Sequence, residues 1–437
     1  MWTNGLLRTA MPLFALVSYV LLAHIWAASP FALHQWDTFF DADANKYYQW
    51  FSEGRPDLNR MDGLHPLLAQ LISWPIRLAT WLFVQVNGGD VACLSAARLE
   101  LALWVSPIAA SLALSLQVRA LQLMGCTPLR VIQLGLLSML SIGMLVFGSL
   151  PEQFSLSCLA LSWVIYLAAR DLVELKIPVL WIILPGILAT GVVISNFSIF
   201  VLLTIYLELR GFRRMGLALD GRRLIRVVMS HAAMIVIGTL VIAFACTWAE
   251  RITSGGGSAP HLSNGLNGRF LLKQRPDDIA AAVMRLGADG FALGGISVVK
   301  QRDLPFPDQR DVSTLDNAAV VSAHSRGWVD YVIYFLAAAP ILSGMMGWWN
   351  RDRMASYFFV SLWLLYVPVL TIYSGSDIFL FCLHILPVAL VIMSSSVNAG
   401  FGSSLQGFGI SVLMLVVTAV NFRTVSSLID ISQGPLK

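Results

Sequence analysis

Five acidic side chains, Asp41, Asp43, Glu53, Asp57 and Asp62, crowd one short polar stretch that closes on His65-Pro66-Leu67. The stretch follows directly on a long apolar run. A carboxylate held at a lipid–water boundary can take the proton of an attacking hydroxyl, a contribution of about 10²- to 10⁴-fold to rate. Two neighbouring acids can also raise one pKa toward that task. Asp43 is the candidate base, and Asp41 is its competitor two residues away. On a helix the two would point to different sides, so both cannot face one hydroxyl equally. The plain alternative is a solvated loop that only terminates the first helix; with Asp43 as base, Asp41 would cap a short interfacial helix over Ala44 to Phe51. Glu152, beside Pro151 at the opening of a later apolar run, is the second candidate acid. It could bind an acceptor, orient a basic residue or hold a cation, or serve only the helix dipole. Glu100 is expected to pair with Arg98 or Lys46. Asp377 and the intramembrane His384 are weaker candidates, the latter equally suited to helix–helix hydrogen bonding.

The elements that must position these groups are membrane helices. Of 437 residues, 57% are hydrophobic and only 12% charged, and the mean hydropathy is +0.72. Soluble proteins carry about 25% charged residues. The net charge of +4 is small and its basic residues cluster in loops, which speaks of topology and not of nucleic-acid binding. The five cysteines stand singly, so neither a disulfide framework nor a metal site is indicated. The first apolar run, Met11 to Ala28, reads as an uncleaved signal anchor. Charge bias then sets the order of crossings. Helix 1 covers about 9–29, and residues 66–86, broken by Pro75 and Arg77, lie in the outer interface without crossing. Further spans follow at about 97–118, 131–149, 153–169, 178–194, 197–209, 225–248, 328–348, 355–373, 378–395 and 407–422. The expectation is an all-α polytopic protein of about eleven spans, N-terminus inside and C-terminus outside. Its parts are a core over 1–248 with an outer first loop at 30–96, a long outer segment at 249–327, and C-terminal helices over 328–437. Within the outer segment, Pro276-Asp277-Asp278 predicts a helix start running to Leu286.

Motif order adds a resemblance. Asp43-Ala44-Asn45-Lys46-Tyr47 resembles the D-x-x-R-Y stretch in the first outer loop of bacterial aminoarabinose transferases. His65-Pro66-Leu67 is similar to the H/K-P-P-L that follows it there and in protein O-mannosyltransferases. Ser95-Ala96-Ala97-Arg98-Leu99 is similar to the arginine-led start of their next helix, and Pro151-Glu152-Gln153-Phe154 to the acid opening their fourth. The chain thus resembles the GT-C class of membrane glycosyltransferases over its first half in motif order, and over its second half in number of spans. Two departures stand out: Ala44 replaces the frequent acid after the aspartate, and one proline, not two, follows His65.

The resemblance implies an inverting transfer of a sugar from a polyprenyl-phosphate donor to a hydroxyl of an envelope glycan, lipid or protein. The site would face the periplasm from a bacterial inner membrane. No cofactor beyond the lipid-linked donor is implied, with room left for a divalent cation and no metal ligand set assigned. Asp43 would be the base, with Tyr47 one turn on along the same face. The leaving lipid phosphate calls for cations. Lys46, His65 and Arg98 stand near the first loop, and Arg269, Lys273, Arg275 and Arg326 in the long one. Each also suits an ordinary snorkelling role. Two rival classes make different demands. An O-antigen polymerase or ligase needs paired arginines in two outer loops, whereas the arginines here are scattered. A transporter or flippase needs mid-membrane charges and repeated halves.

Overall fold

A backbone in lipid must satisfy its own polar groups, and an apolar run does so by coiling into a helix. The computed structural model of the chain describes residues 2–29, 67–87, 91–173, 177–253, 291–292, 296–300, 313–317, 328–373, 383–395 and 401–432. Its helices are α1 (Trp2–Ala28), α2 (Leu68–Asn87), α3 (Val91–Leu123), α4 (Pro128–Met139), α5 (Ile142–Phe147), α6 (Phe154–Val173) and α7 (Leu180–Val192). After a 3₁₀ turn at Ile194–Asn196 come α8 (Phe197–Arg214), α9 (Gly221–Thr253), α10 (Trp328–Arg351), α11 (Arg353–Tyr373), α12 (Leu386–Met393) and α13 (Phe401–Ser432). Among the described residues, seven helices are long and apolar enough to cross a membrane: α1, α3, α6, α8 with its preceding turn, α9, α10 and α13. The chain is a polytopic membrane protein.

Side-chain pairs fix how the first helices run. At one end Arg8 Nε of α1 donates to Gln122 Oε1 of α3 at 2.5 Å, and at the other His24 Nε2 meets Glu100 Oε1 at 2.9 Å. α1 and α3 are therefore antiparallel. Ser106 bonds the backbone of Glu152, and eleven residues on Gln117 Nε2 donates to Ser162 Oγ at 3.0 Å, so α3 and α6 run parallel. The chain between them, α4 and α5, must return. It does so through a tight turn at the end of α3. Gly125, at φ +77°, takes the left-handed conformation that lets Cys126 N–H reach Leu121 O at 3.1 Å. Thr127 then accepts the Arg130 N–H, and Pro128 opens α4.

The return differs from the single helix expected over 131–149. It breaks between α4 and α5 at Leu140-Ser141. Ser141 is extended, at φ −64° and ψ 144°, and its hydroxyl caps α5 by accepting the Met144 N–H. The backbone groups freed by the break find partners far away in sequence. Ile142 N–H donates to Phe291 O at 3.0 Å, and Asn421 Nδ2 of α13 donates to Leu140 O at 2.8 Å and to Phe291 O at 2.6 Å. Phe291 and Ala292, from the long segment at 249–327, are themselves buried in the bundle.

Other expectations change too. α7 has 13 residues, about 20 Å of helix against a hydrocarbon layer of about 30 Å, so it is short for a full passage. Only 383–395 of the expected 378–395 span is described, with eight residues in α12. α2 is not among the seven long apolar helices. It buries Leu68, Ile72, Ile76 and Thr80 along one face and exposes Leu78, Trp81, Leu82 and Val86 on the other. Beside the helices the long segment carries one antiparallel pair, β1 (Ile296–Lys300) and β2 (Ser313–Asn317). Ile296 stands opposite Asn317 and Lys300 opposite Ser313. The helix expected from Pro276 to Leu286 lies outside the described residues.

The basic end of the bundle is locked by charge. Arg214 of α8 grips Asp171 of α6 with two nitrogens, at 2.8 and 3.0 Å. Arg210 bridges Asp171 at 2.9 Å and Asp352, between α10 and α11, at 2.6 Å. The Asp352 carboxyl sits below the ordinary carboxylate range. Burial pushes it up, but the Ala355 N–H, the Arg210 guanidinium and the Met354 N–H together outweigh that.

Candidate functional site

Glu152 lies in the turn before α6, 1% exposed. A carboxylate withdrawn this far from water must be held by polar partners. Its Oε2 accepts the Gln153 N–H at 2.8 Å. Its backbone is sewn to α3: the Glu152 N–H donates to Ser106 Oγ at 3.2 Å, and the same hydroxyl lies 3.2 Å from the Glu152 carbonyl. Ser155 donates to that carbonyl from the first turn of α6 at 3.3 Å. Proline at 151 and an acid at the next position suit a helix start, and the structure places Glu152 at one.

Aromatic packing closes one side. The Phe154 ring stacks at a tilt on Phe147 at 5.1 Å, and His384, just before α12, meets the Phe154 ring edge-on at 6.2 Å. His384 is buried. The structure thus packs His384 against Phe154, two residues after Glu152, although His384 and Glu152 are 232 positions apart in sequence.

The two described residues that flank the acidic stretch are both fastened nearby. At its start, α1 ends on Ser29, whose N–H donates to Trp26 O at 3.2 Å. The Trp26 indole N–H donates to Ser149 Oγ at 2.8 Å, three residues before Glu152. At its finish, the Leu67 N–H donates to Gly191 O at 2.7 Å, at the tip of the α7–α8 hairpin. That tip is in turn held to α6, where Asn196 Nδ2 donates to Ser157 Oγ at 3.1 Å and to Ala189 O at 3.1 Å. Leu67 fits because residue 191 is glycine; a Cβ there would lie 2.4 Å from Leu67 Cδ1. Ser29 and Leu67, the described residues that flank 30–66, are therefore linked through Trp26–Ser149 and through the hairpin tip and Ser157 to segments on either side of Glu152 in sequence.

No family model matches the chain, and no curated protein matches it.

Of the other sequence candidates, Arg98 is half-buried within α3, eight residues or about 12 Å along the helix from Ser106. Asp41, Asp43, Lys46, Tyr47, His65, Arg269, Lys273, Arg275, Arg326 and Asp377 lie outside the described residues. Glu100, expected to pair with Arg98 or Lys46, engages His24 Nε2 and the Trp104 indole N–H, the latter at 2.8 Å. Sequence reasoning overlooked Ser106, Ser149, Ser157 and Asn196. Their only signal is a small polar residue inside an apolar run, a common feature of membrane helix contacts. Among the described residues no three His, Cys, Asp or Glu side chains gather. A cation at Glu152 would draw its further ligands from other parts of the chain.

Proposed function

We propose that the chain is a membrane glycosyltransferase of the GT-C type, moving a sugar from a polyprenyl-phosphate donor to a hydroxyl of an envelope acceptor, with inversion. The observation that carries the reading is the fastening of the two described residues that flank the acidic stretch, Ser29 through Trp26 to Ser149 and Leu67 through Gly191, to segments on either side of buried Glu152. That fastening supports a reading in which carboxylates of the stretch act together with Glu152. Asp43 acts as general base and takes the acceptor proton as the hydroxyl attacks the anomeric carbon. Glu152 positions the acceptor or a cation and does not take the proton. Lys46, His65 and Arg98, with Arg269, Lys273, Arg275 and Arg326, supply positive charge for the departing lipid phosphate. In this reading the chain makes eleven passages with its N-terminus inside a bacterial inner membrane, and the acidic stretch faces the periplasm.

The test is sugar transfer by purified variants given a lipid-linked donor. Asp43→Asn folds, binds donor, and loses about 10²- to 10⁴-fold in rate. Asp41→Asn keeps much of its rate, and Glu152→Gln loses activity with donor binding retained. Turnover of Asp43→Asn at the parent's rate would overturn the mechanism.

A further inference from the structure

At the basic end of the bundle a cavity of about 610 Å³ opens between the α3–α4 turn, the end of α10, the end of α12 and the start of α13. Its lining includes Arg130, Arg351, Cys126, Ser394, Ser404 and Ser411, and every charged group in that lining is a guanidinium. Each arginine lies beside a glycine at ordinary contact distance: a Cβ on Gly125 would lie 3.8 Å from Arg351 Nη2, and one on Gly407 would lie 3.9 Å from Arg130 Nη2. Arg130 Nη2 also donates to Gln406 Oε1 at 3.3 Å, and Gln406 is itself fixed by the carbonyls of Ser395, Met393 and Pro340. The guanidinium is thus aimed before any ligand arrives. Gln133 steadies the far wall by donating to Ser411 Oγ at 2.7 Å. The Cys126 thiol lies within the field of both arginines, yet burial pushes it up to about 11, so it stays neutral and adds no negative charge.

We propose that this cavity binds a phosphate anion, carried by a phospholipid headgroup of net negative charge or supplied as free phosphate. Two planar guanidiniums and the hydroxyls of Thr127, Ser394, Ser404 and Ser411 in the lining are the donor types that suit phosphate oxygens. A basic pocket between membrane helices at the headgroup level is a recurrent place for anionic lipid heads. The volume admits a phosphate together with the glycerol attached to it. The site is remote from Glu152 and owes nothing to sugar transfer, so its test stands apart from that reading.

The experiment is native mass spectrometry of the purified full chain in detergent, titrated with phosphatidylglycerol, with phosphatidylcholine, and separately with inorganic phosphate. The parent retains phosphatidylglycerol about tenfold more tightly than Arg351→Gln, and Arg351→Lys recovers part of the difference. Phosphatidylcholine binds parent and variant alike. Displacement of phosphatidylglycerol by inorganic phosphate assigns the site to the phosphate group itself, whereas retention of the lipid alone assigns it to a headgroup; each supports the proposal. Arg130→Gln is the second variant. The Arg351 side chain is exposed, so its substitution leaves the fold intact should Arg130→Gln not fold. Equal binding of phosphatidylglycerol and phosphate by the parent and Arg351→Gln would overturn the proposal.

Discussion

Alanine at Gly191 would put a methyl group where Leu67 already is. The added Cβ would stand 2.4 Å from Leu67 Cδ1, 2.6 Å from its Cβ and 2.8 Å from its Cγ. Three atoms of one side chain, including the one next to the backbone, cannot all turn away, and Leu67 is fully buried. Leu67 must withdraw as a unit. Exposing it costs about 2 kcal/mol, and losing the hydrogen bond from its N–H to Gly191 O costs about 1 kcal/mol. Replacing a helical glycine by alanine returns about 1 kcal/mol, leaving a net loss of about 2 kcal/mol. Gly211, in α8, is the control, since a Cβ there meets nothing within 4 Å. Gly211→Ala is expected to be neutral or to gain up to about 1 kcal/mol. Reversible unfolding in mixed detergent micelles, followed by SDS titration, measures both. The acidic stretch ends at Leu67, so under the proposed transferase reading the sugar transfer by Gly191→Ala falls along with stability. A Gly191→Ala protein that unfolds at the same point as the parent would show that the hairpin tip and Leu67 do not pack as described.

Three further outcomes are expected. Asn421→Leu removes the side-chain donor to the Leu140 and Phe291 carbonyls and costs about 1–3 kcal/mol in the same unfolding assay; an unchanged midpoint would remove the buried role of Phe291. The stabilisation from Asp352, whose carboxyl is held below the ordinary range, is complete above the ordinary aspartate value of about 4 and drains away as pH falls through the depressed one. Melting temperature followed from neutral to acid should therefore drop more steeply for the parent than for Asp352→Asn, and parallel curves would contradict the assignment. Cysteines introduced at Gly54, Asn87 and Ser263 should react with an impermeant reagent added outside intact cells, while one at Asp220 should not; protection of Asn87 alone would mean that 66–86 crosses the membrane.

The long apolar runs made most helices legible, because one run of about twenty residues suffices to call a span. α3 and α9 simply extend past their apolar cores, from about 97–118 to Val91–Leu123 and from about 225–248 to Gly221–Thr253. The break in the third span was not legible. Leu140-Ser141 carries no proline or glycine, and a serine in an apolar run reads as a helix contact as readily as a cap. What makes the break tolerable is Asn421 and Phe291, each more than a hundred residues away, and no local pattern encodes them. Glu152 was visible from the proline before it. Its seat on Ser106 was not, since that bond depends on α3 and α6 running parallel. The Asp171–Arg210–Asp352 bridge escaped notice for the same reason: three ordinary charges near helix ends become a lock only when three helices meet.

The peg formed by Phe291 carries a consequence for biosynthesis. Its carbonyl takes one hydrogen bond from Ile142, made early in translation, and one from Asn421, near the end of the chain. Half of the socket therefore waits until α13 has left the ribosome and entered the bilayer. A nascent chain stopped before α13 would hold the first six helices and their Glu152 turn in place, yet would lack the donor that completes the socket. Seating of Phe291 is thus completed only by α13, and truncations that remove α13 should report their damage far back in the sequence, at the break between α4 and α5.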